Sequence, residues 1–325
     1  MTELLKKLMF TSGVSGREEQ IRQVIREEVE PYADEVSVDP LGNLIARKKG
    51  NGKKIMFCAH MDEIGFFVSF IESDGMIKVH PVGGINPLSA AYSEVVSEKG
   101  VRGIMVPDSD KSVPKVTDMS IDIGAKTKKQ AEKKVAVGDF FVCAPAMRKL
   151  MGTRYIGRPF DDRVGCAILI EALKAVKKTE NDLYFVFATQ EEVGARGSKP
   201  VAFAIAPDIG FALDVTMTDG KPGSPKMTVE LGKGCTVKIK DSGVVCSPDL
   251  VKEVRQIAEE NGVKYQNEVL LAGGTDASSI QVAGIGARVS AISIPTAFIH
   301  TGVEMIDMVD VKEAVKLTTL LCEKL

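Results

Sequence analysis

Tryptophan is absent from the 325 residues, tyrosine occurs five times and histidine three times. Without tryptophan and with little tyrosine, the chain has no aromatic-rich platform for stacking sugars or bases. With three histidines, any histidine that does chemistry must be His60, His80 or His300. An excess of either charge is also missing: 42 Lys+Arg stand against 44 Asp+Glu, a formal net charge of −2. That balance argues against a dedicated nucleic-acid binder, which shows a basic excess. No apolar run approaches the roughly 18 residues that suggest a membrane span, so no membrane partner is expected. The opening MTELLKKLMFTSG carries charges inside its apolar stretch and has no small-residue cleavage site, unlike a signal peptide. The six cysteines are scattered with no CxxC pair, which suits reduced thiols and a cytoplasmic location. What is present is ordinary for a globular protein, with 44% apolar and 26% charged residues. The length favours two domains over one.

The first 30 residues read as helical, with Ile21, Val24, Ile25 and Val29 at helical spacing after a break at Ser12–Gly16. Pro31 stops that helix. EVSVD and NLIARKK flank Pro40-Leu41-Gly42 and predict a hairpin. KIMFCAH is a continuous apolar run, as in a strand covered on both faces. From 65 to 156 the texture changes to short Val/Ile-rich pieces between Gly, Pro, Asp and Ser, with TKKQAEKK the one evident helical piece. This predicts an inserted small β-barrel or sandwich with its own core. After Asp161 the α/β texture returns. VGCAILIEALKAVKK reads as a buried helix, and LYFVFATQ, IGFALDV and ARVSAISI as strands. Ser247 and Pro248 open another helix that Gly262 ends. Asp310 with Glu313 predicts a capping box at the start of the last helix. The fold class is therefore α/β: a three-layer α/β/α domain from 1–64 and 157–325, interrupted by a β-rich domain at 65–156.

Charged residues fall where the apolar strands finish. His60 and Asp62 follow KIMFCA, Glu191 and Glu192 follow LYFVFATQ, and Asp214 follows IGFAL. In open α/β sheets, ligands bind beyond the carboxyl ends of the strands. Asp62, two residues from His60, can accept from one ring nitrogen while the other binds a metal. A histidine hydrogen-bonded locally would look the same. Glu191 and Glu192 point to opposite sides at a strand end, so one can hold a metal while the other acts as a base; a solvated acidic turn before Gly194 is the plain alternative. Asp161-Asp162-Arg163 precedes a helix, where an acid commonly serves as N-cap. Its functional reading makes one Asp a bridge between two metals, with Arg163 paired to the other. Asp214 is costly at a strand end unless paired or metal-bound. His300 lies near Glu304, and His80 sits in the β-rich insertion with no chemistry assigned. Two histidines and three carboxylates, with a spare Glu, suit two Zn²⁺, Co²⁺ or Mn²⁺ ions, held roughly 3.5–4 Å apart by a shared carboxylate. No GxSxG or GxxxxGK[ST] motif competes, and AGGTDASS is expected to shape a substrate-pocket loop.

The stretches SGVSGRE, AHMDEIGF, GRPFDDRVGC, TQEEVGARG, ALDV, GGTDASSIQ and IHTGVE occur in that order. The chain resembles the tetrahedral, glutamyl-type aminopeptidases among the di-zinc clan MH metallopeptidases. The resemblance implies a dinuclear metallo-aminopeptidase acting on short peptides. His60, Asp161, Glu192, Asp214 and His300 would be the metal ligands, with Asp161 bridging. Glu191 would be the general base and Asp62 would orient His60. The resemblance also implies self-association through the insertion into dimers and a tetrahedral dodecamer. Some relatives carry an endoglucanase label, so a glycoside hydrolase is one alternative and an inactive metal-binding scaffold another. Where relatives carry Ser-Pro or Thr-Pro after the last histidine, this chain has Thr301-Gly302, which would loosen that loop.

Overall fold

The structure is a computed structural model that describes residues 1–109, 115–218 and 227–325. The chain opens with α1 (Thr2–Met9) and α2 (Glu19–Val29). Each buries one stripe: Leu4, Leu5 and Leu8 in α1, and Ile21, Ile25 and Val29 in α2. Next come β1 (Glu35–Val38), β2 (Leu44–Lys48) and β3 (Lys54–His60), the first two an antiparallel hairpin as predicted. Its turn closes where the Asp39 carboxylate accepts from the amides of Leu41 and Asn43 and Gly42 takes φ +93°.

The insertion is a closed barrel of β4 (Gly65–Ile71), β5 (Ile77–Val82), β6 (Glu94–Ser97), β7 (Arg102–Pro107), β8 (Met119–Asp122) and β9 (Phe140–Cys143), paired in the order β4-β5-β8-β7-β6-β9. Two short helices, α3 (Pro87–Ala90) and α4 (Lys128–Ala131), decorate it. TKKQAEKK thus yields four helical residues, capped by the Thr127 hydroxyl. The barrel has its own core, including Phe66, Ile77, Val95, Met105 and Phe141, as a small barrel filled by side chains requires.

The rest of the chain supplies β10 (Ala146–Lys149), β11 (Arg154–Arg158), α5 (Arg163–Ala175), β12 (Asp182–Ala188), α6 (Ser198–Ile205) and β13 (Ile209–Met217). It ends with β14 (Cys235–Lys240), α7 (Pro248–Glu260), β15 (Tyr265–Val269), α8 (Ala277–Gln281), β16 (Arg288–Ala297), β17 (Glu304–Asp307) and α9 (Met308–Lys324). The large sheet runs β1-β2-β12-β3-β13-β16-β17-β11-β10, with β14 and β15 branching from β16. Its centre, β12-β3-β13-β16, is parallel. Helices α1, α2, α5, α7 and α9 pack together on one face, and α6 with α8 on β3, β13 and β16. Burial on both faces explains the continuous apolar runs. Phe185, Phe57 and Phe211 stand side by side across β12, β3 and β13, with ring centroids 5.7 and 5.2 Å apart. Each such burial is worth roughly 1.5–3 kcal/mol.

Three sequence expectations need correction. The last helix starts at Met308, and its cap is Asp307, which accepts from the Val309 amide at 3.0 Å. Asp310 instead is buried inside the first turn and accepts from the amides of Gly232 and Gly234, both at 2.7 Å. Ser247 precedes α7, but its hydroxyl accepts from Val289 of β16 rather than from the helix. Part of the stretch expected in the insertion, residues 146–156, pairs into the large sheet as β10 and β11.

Candidate active site

The parallel strands deliver their polar ends to one edge. His60 is the last residue of β3, Glu191 and Glu192 follow β12, and Asp214 lies in β13, which continues to Met217. His300 follows β16 at φ +60°. Between β11 and α5 the chain turns through Asp161 and Asp162.

Asp161 faces two histidines at once. Its Oδ1 is 3.1 Å from His60 Nε2, and its Oδ2 is 3.2 Å from His300 Nε2. Asp214 Oδ1 lies 3.9 Å from His60 Nε2, and Glu192 Oε2 lies 3.1 Å from His300 Nε2. The residues therefore form two groups sharing Asp161: His60, Asp161 and Asp214, and Asp161, Glu192 and His300. Within each group the candidate ligand atoms lie within 4.8 Å of one another. Glu191 belongs to neither, and its Oε2 is 4.0 Å from His60 Nε2.

Asp162 is the N-cap of α5, accepting from the Gly165 amide at 3.0 Å and from the His60 amide at 3.3 Å. Capping consumes the second acid of the pair, and the first is left to face the histidines. Arg163 does not pair with Asp162, contrary to expectation. It reaches Glu63 at 3.3 Å and the carbonyls of Leu8 and Thr11. His60 Nδ1 lies 3.1 Å from the Asp62 carbonyl and 3.4 Å from its carboxylate. That carboxylate also accepts from the Ser15 hydroxyl at 2.6 Å and from the amides of Glu191 and Glu192. Glu304 accepts from the amides of Phe160 and Asp161, which fixes the approach to Asp161. The Thr301 hydroxyl lies 2.6 Å from the Phe298 carbonyl and accepts from the Val303 amide, so the loop after His300 is tied without proline. His80 is exposed on β5, outside the site.

Acids crowd this edge. Burial raises the pKa of Glu191 and of Asp214, and the negative charge of neighbouring carboxylates adds to it. Burial opposes a charged His300, but hydrogen bonds to Asp161 and Glu192 outweigh it and lift its pKa to about 11. Asp276, buried nearby and bonded to Cys58 Sγ at 3.4 Å, adds another carboxylate. The set asks for positive charge that the side chains do not supply, and its mixture of imidazole and carboxylate suits borderline divalent ions. These residues fit a pair of such ions.

Asp161, Glu191, Glu192 and Asp214 line a cavity of about 750 Å³ together with His60 and His300. Apolar side chains of Val215, Met217, Leu270 and Phe298 form part of its wall, and Gly273 and Gly274 come from the AGGTDASS loop.

Residues 42–317 match the M42 glutamyl aminopeptidase family profile. The chain belongs to this family. A lysyl aminopeptidase of Pyrococcus furiosus is 35% identical to this M42 chain, covering 99% of it and 97% of the relative. The solved TET1 peptidase of Pyrococcus horikoshii, described as assembling into a tetrahedron or a large octahedral shell, is 36% identical with a TM-score of 0.91, covering 100% of this chain and 99% of the other. A Thermotoga maritima structure described as an endoglucanase is 30% identical with a TM-score of 0.84, covering 98% and 96%. Both the α/β fold and the inserted barrel match the solved TET peptidases.

Ser15, Glu18 and Glu63 contribute to the site's surroundings, and the sequence reading passed over them. Their partners lie 47, 172 and 95 to 100 positions away, at Asp62, Gln190 and the two arginines Arg158 and Arg163. The local signals were the stretches that hold them, SGVSGRE for Ser15 and Glu18 and AHMDEIGF for Glu63.

Proposed function

We propose that this M42 family member is a metal-dependent aminopeptidase that removes N-terminal residues from short peptides. The observation that carries the reading is Asp161, whose two carboxylate oxygens face two different histidines, each with a further carboxylate beside it. His60, Asp161 and Asp214 would hold one divalent ion, and Asp161, Glu192 and His300 a second, with zinc or cobalt favoured and manganese compatible. Such ions, when bound, supply Lewis acidity toward the scissile carbonyl, a water of lowered pKa, and an anchor for the free α-amine. Glu191, outside both groups and next to His60, is the general base: it takes the proton of the attacking water and passes it to the leaving amine. Asp62 orients His60 and, through the amides of Glu191 and Glu192, the acidic turn.

The barrel is assigned to self-association, as a dimer that builds toward a dodecamer, and residues 65–143 are its extent. Among the described residues no helix is long and apolar enough to cross a membrane. A cytoplasmic location fits the six free cysteines. The endoglucanase description of one solved neighbour supports a second reading, glycoside hydrolysis by two carboxylates. Against it stand the absence of tryptophan and the coupling of the acids to histidines. Metal-loaded protein assayed on aminoacyl-p-nitroanilides and on carboxymethylcellulose separates the two. Turnover of the anilides alone is expected; turnover of cellulose alone would overturn the proposal.

A further inference from the structure

The segment 13–18 supplies no candidate ligand, yet it touches both loops that carry the site. The Gly13 carbonyl accepts from the Glu63 amide at 3.0 Å, and Ser15 holds Asp62. The Glu18 carboxylate, 3% exposed, accepts from the Gly16 amide at 2.7 Å and from the Gln190 amide at 3.1 Å. Gln190 directly precedes Glu191 and has φ +55°. A residue with a Cβ stays in that left-handed region where its surroundings hold it. Each successive amide of the turn has its own acceptor: Thr189 on Asn43 Oδ1, Gln190 on Glu18 Oε1, and Glu191 and Glu192 on Asp62. The fastening of Gln190 therefore comes from a different part of the chain from that of its neighbours.

We propose that Glu18 is a positioning residue for Glu191. By fixing the Gln190 amide it holds the left-handed turn, and the turn sets the direction from which the Glu191 carboxylate meets the His60 side of the site. The inference rests on reading Glu191 as the base. A purely structural role, tying residues 13–18 to the start of α2, would affect the folded fraction and leave the turnover of folded, metal-loaded protein alone.

Three variants separate these roles. Glu18→Ala removes both bonds. Glu18→Asp withdraws the carboxylate by one methylene and places a preferred N-cap residue where the Glu18 side chain makes no cap bond to α2. It is therefore expected to preserve folding where alanine does not. Glu18→Gln keeps an acceptor oxygen at full reach. In metal-loaded protein, Glu18→Ala and Glu18→Asp are expected to lose kcat by about ten- to hundred-fold, the scale of a misplaced catalytic group. KM should stay within about two-fold and metal content should not change, while Glu18→Gln restores most of kcat. Turnover of Glu18→Asp within about two-fold of wild type, a loss that tracks metal content, or no recovery with Gln would overturn the proposal. A crystal structure of Glu18→Asp decides independently of activity. The Glu191 carboxylate, 4.0 Å from His60 Nε2 in the parent, should be displaced, and an unmoved carboxylate contradicts the role. Wild-type protein inert on peptides would instead sink the function proposed above.

Discussion

Two clusters of buried charge lie side by side in this protein and are balanced in opposite ways. In the first, Glu63 sits between Arg158 at 3.5 Å and Arg163 at 3.3 Å, and Arg163 also caps carbonyls near the end of α1. There two arginines share one carboxylate, so the acid is fully offset within the chain. In the second, Asp161, Asp162, Glu191, Glu192, Asp214 and Asp276 crowd around His60 and His300, with Arg158 and Lys238 acting on Glu192 and Asp214 from farther away. Both clusters bear the cost of desolvation. The first offsets it with its own arginines and so contributes to holding α1, β11 and α5 together. The second is left with an excess of acid, and that excess is the physical argument for cations supplied from outside.

The largest effect expected from breaking the comparison is at Glu191. If Glu191 is the base and not a ligand, as proposed, Glu191→Gln should lower kcat by about 10²–10⁴-fold, or about 3–5 kcal/mol of barrier. Metal content should hold. Near-wild-type turnover would contradict the base role. His60→Ala should do the converse and shed metal, which elemental analysis reads directly.

How far could the sequence carry this comparison? Glu191, Glu192 and Asp214 of the acidic cluster were legible because they follow or interrupt apolar strands, and β12 and β13 are buried on both faces as their continuous runs require. Asp161 and Asp162 stood out only as an acidic pair before a helix, and Asp276, at the start of α8, did not stand out. The barrel was legible from its short strands. The cluster around Glu63 was not, because Glu63 comes from AHMDEIGF and its two arginines from GRPFDDRVGC, 95 and 100 positions on, and nothing local marks their meeting. The role of Asp310 was misread for a related reason. An acid followed three residues later by Glu fits a capping box, but the amides of Gly232 and Gly234, far away in sequence, claim its carboxylate. Strands β10 and β11 were grouped with the insertion because they share its short, irregular texture, although β11 pairs with β17.

Next in size is the cluster around Glu63. Glu63→Ala leaves two buried arginines without their acid, and denaturant unfolding should show a loss of about 3–5 kcal/mol. A loss below about 1 kcal/mol would mean the pairing is not what holds these elements. Chelation tests the other side. Stripping metal should remove stabilisation of about 2.7 kcal/mol, for an ion present at about 100 times its Kd. A thermal melt with and without chelator checks this, and an unchanged melt would contradict the charge argument. The smallest effect belongs to the surface. Glu28 bonds Lys7 and Lys174 at 2.9 and 2.8 Å, and those bonds lower its pKa from 4.5. Its contribution is present above the unfolded value of 4.5 and is lost as pH falls through the lower folded value. Glu28→Gln should therefore cost roughly 0.2–1 kcal/mol at neutral pH and nothing once both forms are in strong acid. A cost that grows on acidification would reverse the assigned sign.

The most direct test of the central claim is a calorimetric titration of metal-free protein with Zn²⁺, alongside Asp161→Ala. Two equivalents per chain are expected for the wild type, falling to one or none in the variant, because a single carboxylate serves both groups. Less than one equivalent in the wild type, or two retained without Asp161, would contradict it.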